Sequence, residues 1–440
     1  MQPFKESKHF IRSLVLLIFL NVLVKPLWIF GIDRQVQNIT GYAAYGSYFA
    51  LLNLSIVLNF MLDLGITPFF NRAVAAEHVK GSVLFSQAFS VKLLLSIIYT
   101  ALVFLVAFIS GALTGKLLLL LVIMQVLISF SLLLRSFLSA SQQYSKDAWL
   151  SITDKLFVIL ATGFVLLYPG VSGSITINMF VVIQIMGLLL TIGLGIFFLF
   201  SKISTIIIAP FKHFDPAILK LSLPFALNIF FMASIGRADG FMLERLGDGG
   251  SYEAGIYASG FRLVDAVNMG GYLMASFLLP FISRNWPELS YIKPIVNTCR
   301  HILILSSIVV MTFAWFNAAS VNQWLYHARD PESADMIRIL LLSLLPMGII
   351  HIYGTLLTAT GHINVFLRIS GFFAFLNIVA NLFFIPRFGA HGAAWVAVAT
   401  QTGFAASVYF ASQLKTGMKI LLRDVLIYIL IASLAYMVLK

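Results

Sequence analysis

The sequence predicts an all-α integral membrane protein made of two parallel six-helix bundles and one extra C-terminal helix. Of its 440 residues, 60% are hydrophobic and only 10% are charged, whereas a soluble domain is about 25% charged. Apolar runs long enough to cross about 30 Å of hydrocarbon recur along the chain. Since lipid offers no partners to the backbone polar groups, such runs must form helices or closed barrels, and runs of this length indicate helices.

Thirteen apolar runs are candidate membrane helices. They cover approximately 11–30, 44–69, 83–110, 116–139, 150–168, 176–200, 217–243, 254–282, 301–318, 336–359, 364–385, 391–412 and 421–439. We predict an N-terminal lobe at 1–205, a C-terminal lobe at 206–415, and an extra membrane helix within 416–440. The short connections leave no room for a soluble catalytic or nucleotide-binding domain.

The first run follows a basic start formed by Lys5, Lys8 and Arg12, which is also how a secretory signal peptide begins. The run is too long for the apolar core of a signal peptide, and no Ala-x-Ala-like cleavage site follows it. We therefore interpret 11–30 as a retained first helix.

The net charge of +12 is explained by orientation in the membrane. With the N-terminus in the cytoplasm, most of the loop lysines and arginines lie on the cytoplasmic side, as the positive-inside rule requires. The charge therefore does not indicate nucleic-acid binding.

The two halves of the chain resemble each other. A shift of 212 residues places Lys25 on Arg237 and Arg72 on Arg284. The same shift superimposes Tyr45, Ser47, Phe49 and Leu51 on Tyr257, Ser259, Phe261 and Leu263. A unit of six helices returns the chain to the side where it started, so the halves are predicted to be parallel repeats. Proteins of this kind bind substrate between two bundles that rock against each other.

Charges inside the apolar runs are the candidates for a binding site, because each costs about 2.5–3.5 kcal/mol on insertion scales. We predict that the cations Lys25, Arg237 and Arg262 bind an anionic substrate such as a phosphate or pyrophosphate, which Arg grips with two hydrogen bonds. Asp239 and Asp265 are predicted as their partners and as ion-coupling residues. Arg262 and Asp265 lie three residues apart, so they share a helix face and can pair. The alternative for Lys25 and Arg237 is snorkelling to the interface.

Five more charged or titratable residues have predicted roles outside this group of cations and carboxylates. Lys92 either lines the same cavity or snorkels, and His351 is a candidate proton carrier or a hydrogen-bonded core residue. Asp63 and Arg72 are predicted to cap or gate the cytoplasmic end of the second predicted run, 44–69. The repeat assigns the same place in the second half of the chain to Arg284.

Other chemistry finds no support in the sequence. The lone cysteine, Cys299, excludes an internal disulfide and a cysteine-based metal cluster. No Walker loop, His-Glu-x-x-His or Gly-x-Ser-x-Gly motif is present. We expect no cofactor and no resident metal, apart from a coupling ion such as H⁺ or Na⁺.

Three blocks of sequence resemble a known family. The first is GYAAYGSYFALLNLSIVLNFMLDLGITPFFNR, the second EAGIYASGFRLVDA…FLLPFISR, and the third LLTATGHINVFLRISGFFAFLNIVANLFFIPRFGAHGAAWV. Together, and in this order, they are similar to the polysaccharide-transporter, or Wzx-like, branch of the MOP flippase superfamily.

This resemblance implies two six-helix lobes of the MOP/MATE type and the flipping of undecaprenyl-pyrophosphate-linked oligosaccharide across a bacterial inner membrane. It implies a role in the synthesis of cell-surface polysaccharide such as O-antigen or capsule, with proton or sodium exchange as the drive. The expected partners are the lipid-linked oligosaccharide and membrane lipids, with no nucleic acid. We expect a monomer located near other proteins of polysaccharide synthesis.

Two alternatives stay open. One is a drug or organic-cation exporter of the same superfamily, although such a substrate would favour acidic cavity walls. The other is a membrane-embedded polysaccharide polymerase or ligase, which would be expected to have a sizeable extracytoplasmic loop with catalytic residues.

Overall fold

The computed structural model describes residues 20–67 (except 22), 81–112, 115–141, 143–167, 175–200, 216–326 and 330–418, with the single positions 428, 430, 433 and 437. Every regular element within these ranges is helical. The predicted all-α membrane fold is therefore confirmed.

Eleven α-helices are numbered here in chain order, within the described ranges. Their bounds are α1 Arg34–Val57, α2 Gly81–Ile109, α3 Gly115–Ala140, α4 Tyr144–Leu167, α5 Ile177–Phe200, α6 Pro216–Leu246, α7 Gly250–Asn285, α8 Leu289–Leu325, α9 Pro331–Leu341, α10 Leu344–Ala359 and α11 Ile363–Thr416. A π-helical segment, Leu27–Asp33, leads directly into α1, and a 3₁₀ segment, Leu58–Leu62, follows it.

Nine helical spans in the described part of the chain are long and apolar enough to cross a membrane. Two of them each contain a pair of the predicted runs, because the chain kinks without leaving the helix. Gly41 (φ 78°, ψ 169°) divides the span Leu23–Leu62, and Gly389 (φ 54°, ψ −135°) divides α11. Both conformations lie where glycine is favoured because it has no Cβ.

The first predicted run was placed too short. We expected it to end at residue 30, but the helix continues through the π segment and α1 to the kink at Gly41. Gln35, Gln37 and Asn38 made this stretch look like a loop. Gln37 is buried, which indicates that packing maintains the helix where the hydropathy falls.

Internal contacts divide the chain into two compact units. The first contains Met1–Thr40 and Leu54–Phe230, and the second contains Gly41–Asn53 and Phe231–Lys440. The segment 41–53, which forms most of α1, thus packs with the C-terminal half of the chain. The lobe limits predicted from the sequence, at residues 205 and 415, stay a prediction.

Each unit has its own apolar core. In the first unit, Phe85, Leu133 and Phe137 are among the buried side chains that hold α2 and α3 together. In the second unit, α10 packs on α7 and α11, with Tyr353 and Phe404 in the buried centre.

The predicted thirteenth helix, 421–439, lies mostly outside the described residues. Tyr428 is described and buried, and it packs against Ile304 and Ile308 of α8. Its hydroxyl accepts a hydrogen bond from Arg300 Nε at 3.2 Å and bonds His301 Nδ1 at 2.7 Å. This position of the C-terminal segment is therefore anchored on α8 by polar and apolar contacts.

Candidate functional site

Arg237 of α6 lies inside the second unit and holds a carboxylate with both terminal nitrogens. Its Nη1 and Nη2 donate to the two oxygens of Asp265, on α7, at 3.0 and 2.8 Å. The guanidinium also lies over the ring of Phe261, 4.8 Å from its centre. This two-pronged pair fixes the plane of the guanidinium as well as its position.

Arg262 of α7 is nearly buried, with 7% of its surface exposed. Its Nε donates to the hydroxyl of Tyr45 at 2.8 Å, and its guanidinium lies against the rings of Tyr45 and Phe49. The predicted pairing with Asp265 is present but long, at 3.8 Å from Nη1. Arg237 takes the carboxylate more closely than Arg262 does, which spacing along one helix could not reveal.

Arg237, Arg262 and Asp265 therefore form one cluster that carries two guanidinium charges and one carboxylate. Arg262 lies twelve residues after the start of α7 at Gly250, about 18 Å along the helix axis. Arg237 lies nine residues before the end of α6 at Leu246, about 14 Å. Both cations therefore lie more than about two turns from these helix ends, and snorkelling to the interface stays the alternative interpretation for Arg237.

Asp239 forms a separate polar cluster one half-turn along α6. It is 2% exposed, and it accepts hydrogen bonds from the Tyr257 hydroxyl at 3.2 Å and from Asn381 Nδ2 at 2.7 Å. Asn381 also donates to Asn377, which in turn donates to Thr400 Oγ1 at 3.2 Å. Both asparagines are fully buried.

The expectation that Asp239 pairs with one of the cations is not what the contacts show in the described part of the chain. Its hydrogen-bond donors there are a phenol and an amide, while Asp265 takes Arg237. A buried carboxylate surrounded by neutral groups is suited to taking up a positive charge, because burying a bare charge is costly.

Lys25 belongs to the first unit, so its predicted convergence with the two arginines stays a prediction. It precedes the kink at Gly41 by sixteen residues, so it lies farther from the end of its helix than the predicted end at residue 30 implied. Its electrostatic neighbours are Arg135, Lys155 and Asp154. The first unit thus has a group of cations of its own.

Lys92 and Asp63, which we predicted to act separately, form an ion pair. Lys92 Nζ lies 2.7 Å from Asp63 Oδ1 and donates to Ser129 Oγ at 2.7 Å. The carboxylate also accepts from the backbone N–H of Thr67 at 3.3 Å and from its hydroxyl. These contacts hold the end of the 3₁₀ segment, where Leu64 adopts a positive φ of 43°. The capping role of Asp63 stays a prediction, and Lys92 contacts the same carboxylate.

The other predicted site residues lie elsewhere. His351 of α10 bonds Asn268 of α7 at 2.9 Å and contacts the ring of Tyr272 edge-on. Arg284 is exposed in the last turn of α7. Arg72 lies outside the described residues.

Sequence reasoning missed the neutral members of both clusters. Asn377 and Asn381 lie four residues apart in an apolar run, which puts them on one helix face, and this was the available signal. Tyr257 was noticed only as a member of the repeat. Arg300, 2% exposed in α8, had no predicted role in a site.

Solved structures with the same fold are membrane transporters. A MOP superfamily transporter from Pyrococcus furiosus, described as having a binding pocket of reverse polarity, is 14% identical with a TM-score of 0.69, and the match covers 94% of this chain and 96% of that one. An inward-facing multidrug resistance MATE transporter is 15% identical with a TM-score of 0.67 over 92% and 98% of the two chains. A Vibrio cholerae MATE transporter variant is 14% identical with a TM-score of 0.62 over 94% and 98%. These identities establish the fold alone.

No curated protein sequence matches the chain. The family model described as polysaccharide biosynthesis protein matches residues 13–286, more than half of the chain. This range includes the basic cluster of Arg237, Arg262 and Asp265. The chain is therefore a multi-pass membrane protein that belongs to the polysaccharide biosynthesis protein family of the MOP flippase superfamily.

Proposed function

We propose that the protein is a flippase that moves a polyprenyl-pyrophosphate-linked oligosaccharide across the bacterial inner membrane by alternating access, driven by H⁺ or Na⁺. The observation that carries the proposal is the partly buried cluster of Arg237, Arg262 and Asp265 in a chain of the polysaccharide biosynthesis family. With two guanidinium groups and one carboxylate, the cluster favours an anion over a cation.

A pyrophosphate would be recognised by exchange of partners. Arg237 already presents a two-pronged face to a carboxylate, and the same face fits two oxygens of a phosphate. The polar head would replace Asp265 at one guanidinium while Tyr45 continues to orient the other. The polyprenyl chain would stay in the surrounding lipid.

Asp239 is the proposed coupling residue. Its carboxylate, the Asn381 and Asn377 amides and the Thr400 hydroxyl form a chain of oxygen-rich groups. Such a group accepts either a proton on the carboxylate or a Na⁺ held by several oxygens. Polar and ionisable groups inside membrane bundles are characteristic of ion pathways.

The test is flipping of a fluorescent undecaprenyl-pyrophosphate-linked disaccharide in proteoliposomes. Losing a charged hydrogen-bond donor removes about 1.5–3 kcal/mol, so Arg237→Ala and Arg262→Ala should each lower the initial rate about tenfold or more. Arg237→Lys should retain part of the activity. The matched control is Arg338→Ala, since Arg338 is partly exposed and paired with Asp335 three residues away. If Arg237→Ala and Arg262→Ala both flip the lipid at the wild-type rate, the proposal is overturned.

An exporter of organic cations is the second candidate, since several solved structures of this fold are multidrug transporters. The same proteoliposomes loaded with ethidium separate the two functions. We expect no ethidium transport by the wild-type protein, because the cluster on α6 and α7 has an excess of positive charge. The transporters among the neighbours of known fold also support transport rather than a polymerase or ligase activity.

A further inference from the structure

Residues 41–53, called here the docked segment, pack on α7 through direct backbone contact. A Cβ added to Gly46 would collide with the carbonyl of Ser251, and one added to Gly255 would collide with the carbonyl of Tyr42. Beside the first of these contacts, Ser47 Oγ donates to Ser251 Oγ at 2.8 Å. The docked segment is thus seated closely at the start of α7.

The other end of the docked segment contacts α6 beside Asp239. Gly240 is the next residue along α6, and a Cβ added there would collide with Asn53 Nδ2 and lie 2.5 Å from Phe49 Cε1. Phe49 also packs against the ring of Tyr257, 6.3 Å between centres, and the hydroxyl of Tyr257 donates to Asp239. The docked segment therefore contacts two neighbours of Asp239, namely Gly240 and Tyr257.

Asn53 has an unexplained side chain. It is 1% exposed, and neither its Nδ2 nor its Oδ1 has a hydrogen-bond partner among the described residues. Buried amides are nearly always hydrogen-bonded, to protein groups or to an ordered water or ion. A second buried oxygen without a donor in the described part of the chain is Oδ1 of Asn381, whose amide nitrogen bonds Asp239.

Two incompletely bonded amides are thus associated with one buried carboxylate: Asn381 bonds Asp239 directly, and Asn53 lies against the next residue, Gly240. We propose that Asn53 is a member of the coupling-ion site of Asp239, which it joins only while the docked segment is seated. This inference rests on the proposed coupling role of Asp239. A cation or proton taken up there would be surrounded by Asp239, Asn381 and Asn53, directly or through water.

The charged and titratable side chains near this site have hydrogen-bond or ion-pair partners. Tyr257 donates to Asp239, and Arg237, two residues back on α6, is held by Asp265 of α7. Arg262 of α7 bonds Tyr45 of the docked segment. Because these two arginines are held by other partners, the positive charge proposed for Asp239 would come from a proton or a metal cation and not from a neighbouring arginine.

Shared ligation links occupancy of the site to seating of the segment. Since Asn53 reaches the site only in the seated position, the ion binds more tightly there, and by reciprocity the ion favours seating. A coupling ion would in this way hold the docked segment on α6 and α7, and its loss would release it.

Disulfide formation between Ser47→Cys and Ser251→Cys reports seating, because the two native hydroxyls are 2.8 Å apart. Cys299→Ser removes the single native cysteine. Oxidation by copper phenanthroline is timed in proteoliposomes with Na⁺ against choline at fixed pH, and at two pH values without Na⁺. We expect whichever ion couples to speed cross-linking about fivefold or more, in line with ordinary coupling energies.

The variants isolate Asn53. Asn53→Leu should abolish the ion response, and Asn53→Ser provides a smaller change if the leucine variant does not fold. Asn59→Leu is the matched control, since Asn59 lies six residues later, in the 3₁₀ segment that follows α1, and donates to Gln125 at 2.9 Å. Asp239→Asn should cross-link at one rate under all conditions.

An ion response that persists in Asn53→Leu and Asn53→Ser, or that is absent from the parent protein, would refute the inference. No lipid-linked sugar is needed, so a failure here is distinct from a failure of the flipping assay. If flipping fails while cross-linking responds to the ion, the coupling site stands and the substrate assignment does not.

Discussion

At the scale of single residues, the ion pair of Lys92 and Asp63 joins a buried cation of the first unit to a partly exposed carboxylate. The lysine side chain is 2% exposed and the carboxylate 26% exposed. Ser129 relays the contact to the backbone, because it accepts from Lys92 and donates to the carbonyl of Leu62 at 3.3 Å. Lys92 therefore stabilises the end of the 3₁₀ segment Leu58–Leu62.

Removing the lysine alone should be more harmful than removing the pair. Lys92→Met leaves a carboxylate without its counter-charge, and breaking a buried pair costs about 3–5 kcal/mol; since Asp63 is partly exposed, we expect the lower end, about 3 kcal/mol. The double variant Lys92→Met with Asp63→Leu should regain most of this loss. Thermal unfolding in detergent measures both variants.

The matched control is Lys155→Met, because Lys155 pairs with its neighbour Asp154 at 3.1 Å and is about a quarter exposed. It should change the unfolding temperature far less. A single Lys92→Met variant as stable as the wild type would show that the pair does not stabilise the end of the 3₁₀ segment.

The site could be predicted where charges were involved and not where neutral groups were. The spacing of Arg262 and Asp265 predicted a shared face, and the repeat drew attention to Arg237. Which arginine holds Asp265 more closely depends on the packing of α6 against α7, which the spacing of charges does not contain. Asn53 was invisible, because one asparagine in an apolar run looks the same whether or not it has a partner.

At the scale of elements, the kink of α11 joins two predicted helices into one. Pro386 lacks a backbone N–H and Gly389 takes φ 54° and ψ −135°, a region that only glycine occupies readily. The side chain of Glu253 fills the space where a Cβ of residue 389 would be. Both the backbone and the packing therefore require glycine here.

Gly389→Ala should destabilise the protein by about 1–3 kcal/mol, the usual cost of a residue held in a sparsely populated conformation. Gly193→Ala is the control, because Gly193 is helical and has nothing within 4 Å of an added Cβ. That change should be neutral or slightly stabilising, since alanine favours helix over glycine. Chemical denaturation in detergent compares the two, and equal stability would contradict the role of the kink.

Elements were predictable as apolar runs but not as continuous helices. The period and length of a run indicate a helix, while a kink depends on the backbone angles of one residue. Gly41 and Gly389 read equally well as the turn between two helices or as a bend within one. The polar residues of 34–40 favoured a turn before Gly41. In the structure the helix continues through them, and Gln37 is buried.

At the scale of the whole molecule, orientation in the membrane follows from the distribution of lysine and arginine and stays a prediction. The turn before α7 and the turn after it should lie on opposite sides, since α7 is a single span from Gly250 to Asn285. With the N-terminus inside, Asp248 faces outward and Glu288 faces the cytoplasm. Both are exposed.

Single cysteines in a Cys299→Ser background test this orientation. Asp248→Cys should react with a membrane-impermeant maleimide in intact spheroplasts, whereas Glu288→Cys should react only after permeabilisation. The reverse pattern would place the N-terminus outside. Reaction of both in intact cells would mean that α7 does not span the membrane.

Family and fold were predictable at this scale because they depend on long patterns: the order of motifs, the number of apolar runs and the repeat. The assignment of residues 41–53 to the second unit was not, because it depends on contacts of Gly46, Gly255 and Gly240 with distant backbone. Short glycine-containing stretches occur throughout membrane helices, so their partners cannot be read from sequence.

At Gly46 and Gly255, the docked segment and α7 meet backbone to backbone. Where side chains meet, small rotations let two helices slide by degrees, but here peptide groups meet peptide groups and no rotamer can absorb a partial shift. We therefore expect segment 41–53 to behave as a two-position element, fully seated or fully released. The docked segment would then leave α7 in one step, and only when enough free energy is supplied to break all of these backbone contacts together.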